Sequence, residues 1–134
     1  MPANYVVIRD ESVQLQSNSF ESRKVSLEFN FAFTATGLAI LNFNVSASGI
    51  ADGTAGGGTG TTIPSIVNTA VKINGVEIQR YPLSEQVTHS IHEVFSVEIL
   101  KNGRNIIEFE IVDTPLNLSG LIKISDAVVW CSTQ

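Results

Sequence analysis

Apolar and polar side chains alternate along several segments of this 134-residue chain. From Lys24 to Phe33 apolar residues recur at every second position. The segment from Leu38 to Ser48 likewise places Leu41, Phe43, Val45 and Ala47 on one side and Asn42, Asn44, Ser46 and Ser48 on the other. A period of two is typical of a β-strand with one buried and one solvated face, because successive side chains of a strand point to opposite sides. Both segments are therefore predicted strands, with Phe29 and Phe43 pointing into a core.

Two Asn-Gly pairs, Asn74-Gly75 and Asn102-Gly103, predict tight turns. Each pair lies between two alternating segments, which are 66–73 and 76–79 for the first pair and 93–100 and 105–111 for the second. A type I′ turn needs a positive φ at both central residues, which Asn and Gly adopt readily. Each pair therefore predicts a β-hairpin.

Three further segments are predicted strands, at 5–8, 13–16 and 121–130. A long apolar stripe at helical spacing is absent from the sequence, and 83–92 holds one helical turn at most. Eight or nine short strands with Gly and Asn turns predict an all-β fold, a two-sheet antiparallel β-sandwich forming a single domain over 1–134. The Gly- and Thr-rich stretch 49–62 is predicted to be a flexible loop, either a plain connection or a mobile binding loop.

Composition narrows the possible partners. Hydrophobic residues make up 43% of the chain and charged residues 16%, which excludes a disordered protein. The net charge of −5 disfavours nucleic acid as a partner. No apolar run approaches the roughly 20 residues that span a bilayer, so no membrane partner is expected. The start of the chain lacks the pattern of a signal peptide, which fits a cytoplasmic protein or a module of a larger exported one.

The residues that could carry catalysis favour a protein that is not an enzyme. Glu108 and Glu110 share one strand face, but that face is predicted to be solvated. Cys131 is the single cysteine and is expected to be an idle thiol. His89 and His92 would lie on one side of a helical turn as metal ligands, or else form an exposed or loop-packing pair.

The second half of the chain resembles the galactose-binding-like β-sandwich, the jelly roll of many carbohydrate-binding modules. The segments that carry the resemblance are VKINGVEI (71–78), SIHEVFSVEI (90–99), LKNGRNIIEFEI (100–111) and IKISDAVVW (122–130). The resemblance covers about residues 66–130 and implies a non-catalytic fold that binds ligands through loops at one end or on a sheet face. It also implies a structural Ca²⁺ between the terminal strands, for which Asp10, Glu11 and Asp126 are the candidate ligands.

A sugar site needs an exposed aromatic ring beside polar side chains, because sugars offer both C–H patches and hydroxyl groups. Tyr81, which Arg80 and Pro82 flank in a predicted loop, is the first candidate platform, with His89 or His92 beside it. A polar strand face is the second candidate surface, and its members are Asn30, Asn42, Asn44, Ser46 and Asn68. Trp130 is expected at the edge of the core rather than on the surface.

Two functions follow from these observations. The first is a non-catalytic carbohydrate-binding module whose partner is a glycan or another small polar ligand. The alternative is a structural subunit that assembles into a homo-oligomeric shell, fibre or appendage through a polar face or an edge strand.

Overall fold

The computed structural model describes residues 3–9, 11–31, 35–52, 66–84, 88–114 and 118–133. These ranges contain nine strands, which are β1 (Ala3–Arg9), β2 (Val13–Gln16), β3 (Lys24–Phe31), β4 (Ala35–Asp52), β5 (Val67–Ile73), β6 (Val76–Leu83), β7 (Thr88–Ser96), β8 (Gly103–Val112) and β9 (Leu118–Thr133). Two short 3-10 turns, Phe20–Ser22 and Val97–Ile99, are the only helical segments within the described ranges. Neither is long and apolar enough to cross a membrane.

The strands form two antiparallel sheets. Sheet A has the order β1-β9-β4-β7, and β2 also pairs with β9. Sheet B has the order β3-β8-β5-β6. The predicted all-β, two-sheet sandwich is therefore confirmed. Residues 49–52 of the predicted glycine-rich loop continue β4 as strand, and its residues 53–62 lie outside the described residues.

The core lies between the two sheets and is built by the alternation seen in the sequence. Phe29 and Phe109 of sheet B and Phe43 of sheet A are buried. The rings of Phe43 and Phe109 meet edge to face across the sheets, with their centroids 5.2 Å apart. Burial of alternate side chains thus joins the two layers and leaves both outer faces available.

One of the two predicted hairpins is confirmed and the other is wrong. Asn74 and Gly75 have φ values of 50° and 82° and join β5 to β6. Asn102-Gly103, in contrast, does not join paired strands, because β7 lies in sheet A and β8 in sheet B. The chain leaves β7 at Ser96 and passes through the Val97–Ile99 turn to the other sheet.

A buried amide network holds this crossing in place. Asn105, fully buried, donates from Nδ2 to the carbonyl oxygens of Lys101 (2.8 Å) and Gly103 (3.1 Å). Its Oδ1 accepts from the backbone N–H of Lys101 at 2.7 Å and from Asn74 Nδ2 at 2.8 Å. The Asn105 amide therefore satisfies the carbonyls of the crossing, and its bond to Asn74 ties the crossing to the β5–β6 turn.

An irregularity in β9 reverses the direction of its side chains. Ile122 and Ile124 are buried, but after Asp126, whose φ is 55°, the buried positions become Ala127 and Val129. The register of β9 with β4 shifts at the same place. A bulge adds one residue and thereby changes which residues face the core. Trp130 consequently points outward and is 40% exposed, so its predicted place at the core edge is wrong.

Candidate functional site on the outer face of sheet A

The two outer faces of the sandwich differ in chemistry. Charged side chains that pair with one another cover the outer face of sheet B. The pairs are Lys24–Glu108 (3.4 Å), Lys72–Glu110 (3.5 Å), Arg80–Glu77 (2.9 Å), Arg80–Asp113 and Arg104–Glu28. A face of this kind is a solvated surface, since exposed ion pairs contribute little and remain hydrated.

The outer face of sheet A carries an apolar row instead. Strand register places Tyr5 opposite Trp130, Trp130 opposite Ile40, and Ile40 opposite Val94. The exposed fractions of these four side chains are 57%, 40%, 39% and 57% in that order. The row therefore crosses four strands, a length of roughly 14 Å at the usual spacing of about 4.8 Å between strands.

Two aromatic rings form one end of this row. The centroids of Tyr5 and Trp130 lie 4.8 Å apart, and their planes are tilted by 37°. Cross-strand aromatic pairs of this kind hold each other in place, because both rings have neighbours within contact distance on the same face. The pair presents a broad and ordered aromatic surface to solvent.

A polar pair lies directly beside the row. Asn42 and His92 are opposite each other on β4 and β7, and each lies two residues along its strand from the pair Ile40 and Val94, on the same face. His92 Nδ1 and Asn42 Oδ1 are 2.7 Å apart and share a hydrogen bond. Apolar stacking surface and hydrogen-bonding groups therefore occur together on this face.

Three members of the row, Trp130, Ile40 and Val94, line a groove of about 440 Å³ together with the polar pair. Its lining residues are Leu38, Ile40, Asn42, His92, Val94, Trp130, Cys131 and Ser132. None of them is Asp, Glu, Lys or Arg, which contrasts with the ion pairs of the opposite face. Cys131 is the buried wall of the groove, and burial raises the pKa of its thiol. The groove suits an uncharged ligand with apolar and hydroxyl surface.

Three of the predicted sugar-binding residues lie on this face of sheet A. Asn42 and His92 line the groove. Asn44 follows on the same side of β4, where its Nδ2 donates to Asp126 Oδ2 at 3.1 Å. The structure thus brings the β4 members of the predicted polar row and His92 together, at a place where the sequence predicts no aromatic partner. Asn30 in β3 and Asn68 in β5 belong to sheet B, so the prediction of a single polar face is wrong for these two residues.

Tyr81 and Arg80 of the predicted loop site lie elsewhere. Tyr81 is part of strand β6 and not of a loop, so that placement is wrong. Its ring packs edge-on against Phe43 with centroids 5.8 Å apart, and burial together with the Glu93 carboxylate raises the pKa of its phenol. Arg80 lies on the outer face of sheet B, where Glu77 and Asp113 raise the pKa of its guanidinium. A sugar-binding role for Tyr81 and Arg80 stays a prediction.

The two histidines do not share a side of a helical turn. Both are in strand β7, where residues three apart point to opposite faces. His92 lies opposite the outward Asn42, whereas His89 lies opposite the buried Val45. The predicted metal-binding arrangement of these histidines is therefore wrong, and the exposed side chain of His89 belongs to the other face of β7.

The pairing of the terminal strands bears on the candidate calcium ligands Asp10, Glu11 and Asp126. Terminal strands pair as predicted, since β1 and β2 both pair with β9. Arg9 pairs with Ala127 and Val13 pairs with Ile124, on either side of Asp126 in β9. Glu11 is exposed, while Asp10 lies outside the described residues. No group of three or more His, Cys, Asp or Glu that could hold a metal occurs in the described part of the chain.

Tyr5 and Trp130 are the residues of this face that sequence reasoning missed. Tyr5 and Val7 are exposed, while Val6 and Ile8 pack against the core, so β1 is apolar on both sides. A strand that is apolar on both sides although one side faces solvent indicates a binding face. That signal was available at Tyr5, whereas the outward direction of Trp130 depends on the bulge.

Comparisons with known proteins bear on the fold. No protein-family model matches the chain, and no curated protein matches it. Solved structures do match. A family 36 carbohydrate-binding domain of a multidomain xylanase, from the hindgut metagenome of Trinervitermes trinervoides, aligns over 99% of both chains with a TM-score of 0.51 and 10% identity. The fold is that of jelly-roll carbohydrate-binding modules.

Two further matches show how widely this fold is used. A mutant of a family 29 carbohydrate-binding module complexed with cellulohexaose aligns over 96% of this chain and 91% of its own, with a TM-score of 0.50 and 12% identity. Dimeric latent PorU from Porphyromonas gingivalis aligns over 97% of this chain with a TM-score of 0.56 and 9% identity. This chain spans 13% of that protein. At these identities the likeness concerns the fold.

Proposed function

We propose that this protein is a non-catalytic glycan-binding module and that it binds an uncharged glycan in the groove on the outer face of sheet A. The observation that carries the proposal is the exposed Trp130 ring, which packs against Tyr5 and lines the same groove as the hydrogen-bonded Asn42–His92 pair. Function on this fold has to be argued from a site, because the same sandwich serves many roles.

The chemistry of the groove matches that of a sugar. A pyranose ring has a face of C–H groups and an edge of hydroxyl groups. The C–H face would rest on Trp130 and Ile40, which are neighbours in register, and the hydroxyl edge would meet Asn42 and His92. The row across four strands is long enough for more than one sugar unit.

The absence of charged side chains from the groove lining favours an uncharged ligand. An anionic sugar would find no cation there, and the net charge of −5 adds a weak general repulsion. Support for a glycan partner also comes from the solved structures of similar fold, among which are a domain of a xylanase and a module complexed with cellulohexaose.

Trp130→Ala is expected to weaken glycan binding at least about tenfold, since the substitution removes the central stacking ring of the row. The glycan would first be identified by array and its affinity measured by isothermal titration calorimetry. Trp130→Phe keeps part of the ring surface and should retain intermediate affinity. Val76→Ala is the matched control, because Val76 is 46% exposed on sheet B, away from the groove.

The same experiment separates the proposal from the assembly alternative. Light scattering on the wild-type protein, together with the array, should show a monomer that retains selected uncharged glycans. A closed oligomer that retains no glycan, and in which Trp130→Ala releases monomers, would contradict glycan binding and would favour a structural subunit that buries the apolar row.

A structural Ca²⁺ held by Asp10, Glu11 and Asp126 stays a prediction, supported by the pairing of β1 and β2 with β9 on either side of Asp126. If these acids bind calcium, EDTA should lower the melting temperature of the wild type but not of Asp126→Ala. Glu98→Ala, an exposed acid on the β7–β8 crossing, should respond to EDTA as the wild type does. An EDTA response that is identical in Asp126→Ala and the wild type would exclude this site.

A further inference from the structure

We infer that Asn42 and His92 act as one specificity-determining pair, which binds two neighbouring hydroxyl groups of a single sugar unit. This inference rests on the proposed function and deepens it, since it assigns the polar half of the groove. The apolar row provides affinity for any ring with a C–H face, whereas selection among sugars requires groups that bind particular hydroxyls.

The hydrogen bond between the two residues decides which atoms remain for a ligand. It uses Nδ1 of the His92 ring and Oδ1 of the Asn42 amide, at 2.7 Å. The amide Nδ2 of Asn42 and Nε2 of His92 are left, and neither makes another hydrogen bond to the described residues. Both side chains line the groove.

With the His92 ring neutral, the pair presents one donor group and one acceptor group in either orientation of the Asn42 amide. With Oδ1 accepting, His92 Nδ1 carries the proton, so the neutral ring offers the lone pair of Nε2 while Asn42 Nδ2 offers N–H. With the amide turned over, Asn42 Nδ2 donates to Nδ1, so Nε2 carries the proton and Oδ1 becomes the free acceptor. Both orientations of the amide therefore leave one donor group and one acceptor group free for a ligand.

Two adjacent ring hydroxyls are the natural complement of this arrangement. Each hydroxyl both donates and accepts, so one can accept from the pair while its neighbour donates to it. Ile40 lies two residues before Asn42 on the same face of β4, roughly 7 Å away along the strand. A ring resting on Trp130 and Ile40 would therefore direct an edge toward the pair.

Asn42 and His92 hold each other in one orientation, so the two side chains act together on a ligand. Each side chain fixes the other by their shared hydrogen bond, so removing either one frees the remaining partner to rotate. The two substitutions are consequently expected to be non-additive, as is usual for groups in one hydrogen-bond network.

The experiment uses calorimetry on the full chain with cellohexaose, xylohexaose and mannohexaose, the tightest of which is taken forward. His92→Phe and Asn42→Leu keep the size of the side chains and remove their hydrogen bonds. Each is expected to weaken binding about tenfold, and the double variant about as much as either single one. His92→Gln, which retains a donor and an acceptor, should stay within about threefold of the wild type.

Ser90→Ala is the matched control, because Ser90 lies on the same face of β7, opposite Asn44, and does not line the groove. It should leave affinity unchanged, and thermal melts should show all variants folded. Wild-type binding that is lost in Trp130→Ala but unchanged in His92→Phe and Asn42→Leu would overturn this inference and leave the proposed function standing. If the wild type binds none of the glycans, or if Trp130→Ala binds them as tightly as the wild type does, both the proposed function and this inference are overturned.

Discussion

Replacing Asn105 with alanine is expected to lower the free energy of unfolding by about 3 kcal/mol, although the side chain takes no part in the hydrophobic core. Asn105 is fully buried, and its amide makes four hydrogen bonds, two as donor and two as acceptor. Alanine would leave the carbonyl oxygen and N–H of Lys101 and the carbonyl of Gly103 without these partners. Buried polar groups that lose their partners cost about 1–3 kcal/mol each, less whatever water restores.

Equilibrium urea denaturation measures the effect. Asn102→Ala is the control, since Asn102 belongs to the same crossing but is exposed, and it should change stability by less than about 0.5 kcal/mol. Asn105→Asp should also be destabilising, because a carboxylate cannot donate to the two carbonyls and would bring a charge into a buried site. A loss below about 1 kcal/mol for Asn105→Ala would contradict a structural role for the network.

The second large effect is expected at the contact between the sheets. Phe43→Ala should lower the free energy of unfolding by about 3–5 kcal/mol, the usual range for removing a buried phenylalanine. The Phe43 ring meets Phe109 at 5.2 Å and Tyr81 at 5.8 Å, both edge to face, and both partners belong to sheet B. The substitution therefore removes apolar burial and two aromatic contacts that join the layers.

Phe43→Leu provides the graded comparison, because leucine fills part of the space and should cost clearly less than alanine. Val94→Ala tests the same sheet on its other side, where the side chain is 57% exposed, and should be close to neutral for stability. Equal and small effects at Phe43 and Val94 would mean that the core does not lie between the sheets as described.

The two stability predictions are independent of the proposed glycan site. Phe43 and Asn105 act on folding, whereas Trp130, Asn42 and His92 lie on the outer face of sheet A and line the groove. Substitutions at the groove should therefore change binding with little change in melting temperature. A protein in which every binding variant also unfolds would not support the separation of scaffold and site.

Local pattern was sufficient for most of the fold. The alternation in 24–31 and 38–48 predicted which side chains are buried, and Asn74-Gly75 predicted a hairpin, because side-chain direction and turn geometry depend on a few neighbouring residues. The same reasoning failed at Asn102-Gly103. A turn motif reports local backbone preference and carries no information about whether the flanking strands pair with each other.

The candidate site was predicted in part. Asn42 and Asn44 lie on a polar strand face as predicted, and His92 lies beside them. The predicted loop position of Tyr81 is wrong, because Tyr81 belongs to strand β6. In the structure β6 runs through Leu83 and β7 begins at Thr88, and the Tyr81 ring packs against Phe43 of the other sheet. Pairing with the hairpin neighbour β5 overrides the turn preference of the residues around Pro82.

By itself, the sequence determined the all-β sandwich, the membership of the core and the polar row of β4, since these follow from a period of two read over short segments. Only the tertiary structure decided that β7 and β8 belong to different sheets and that Trp130 joins Tyr5, Ile40 and Val94 in one exposed row. The physical reason is the bulge at Asp126. One extra residue there reverses every later side chain of β9, and its position depends on pairing with a strand some 80 residues away in the chain.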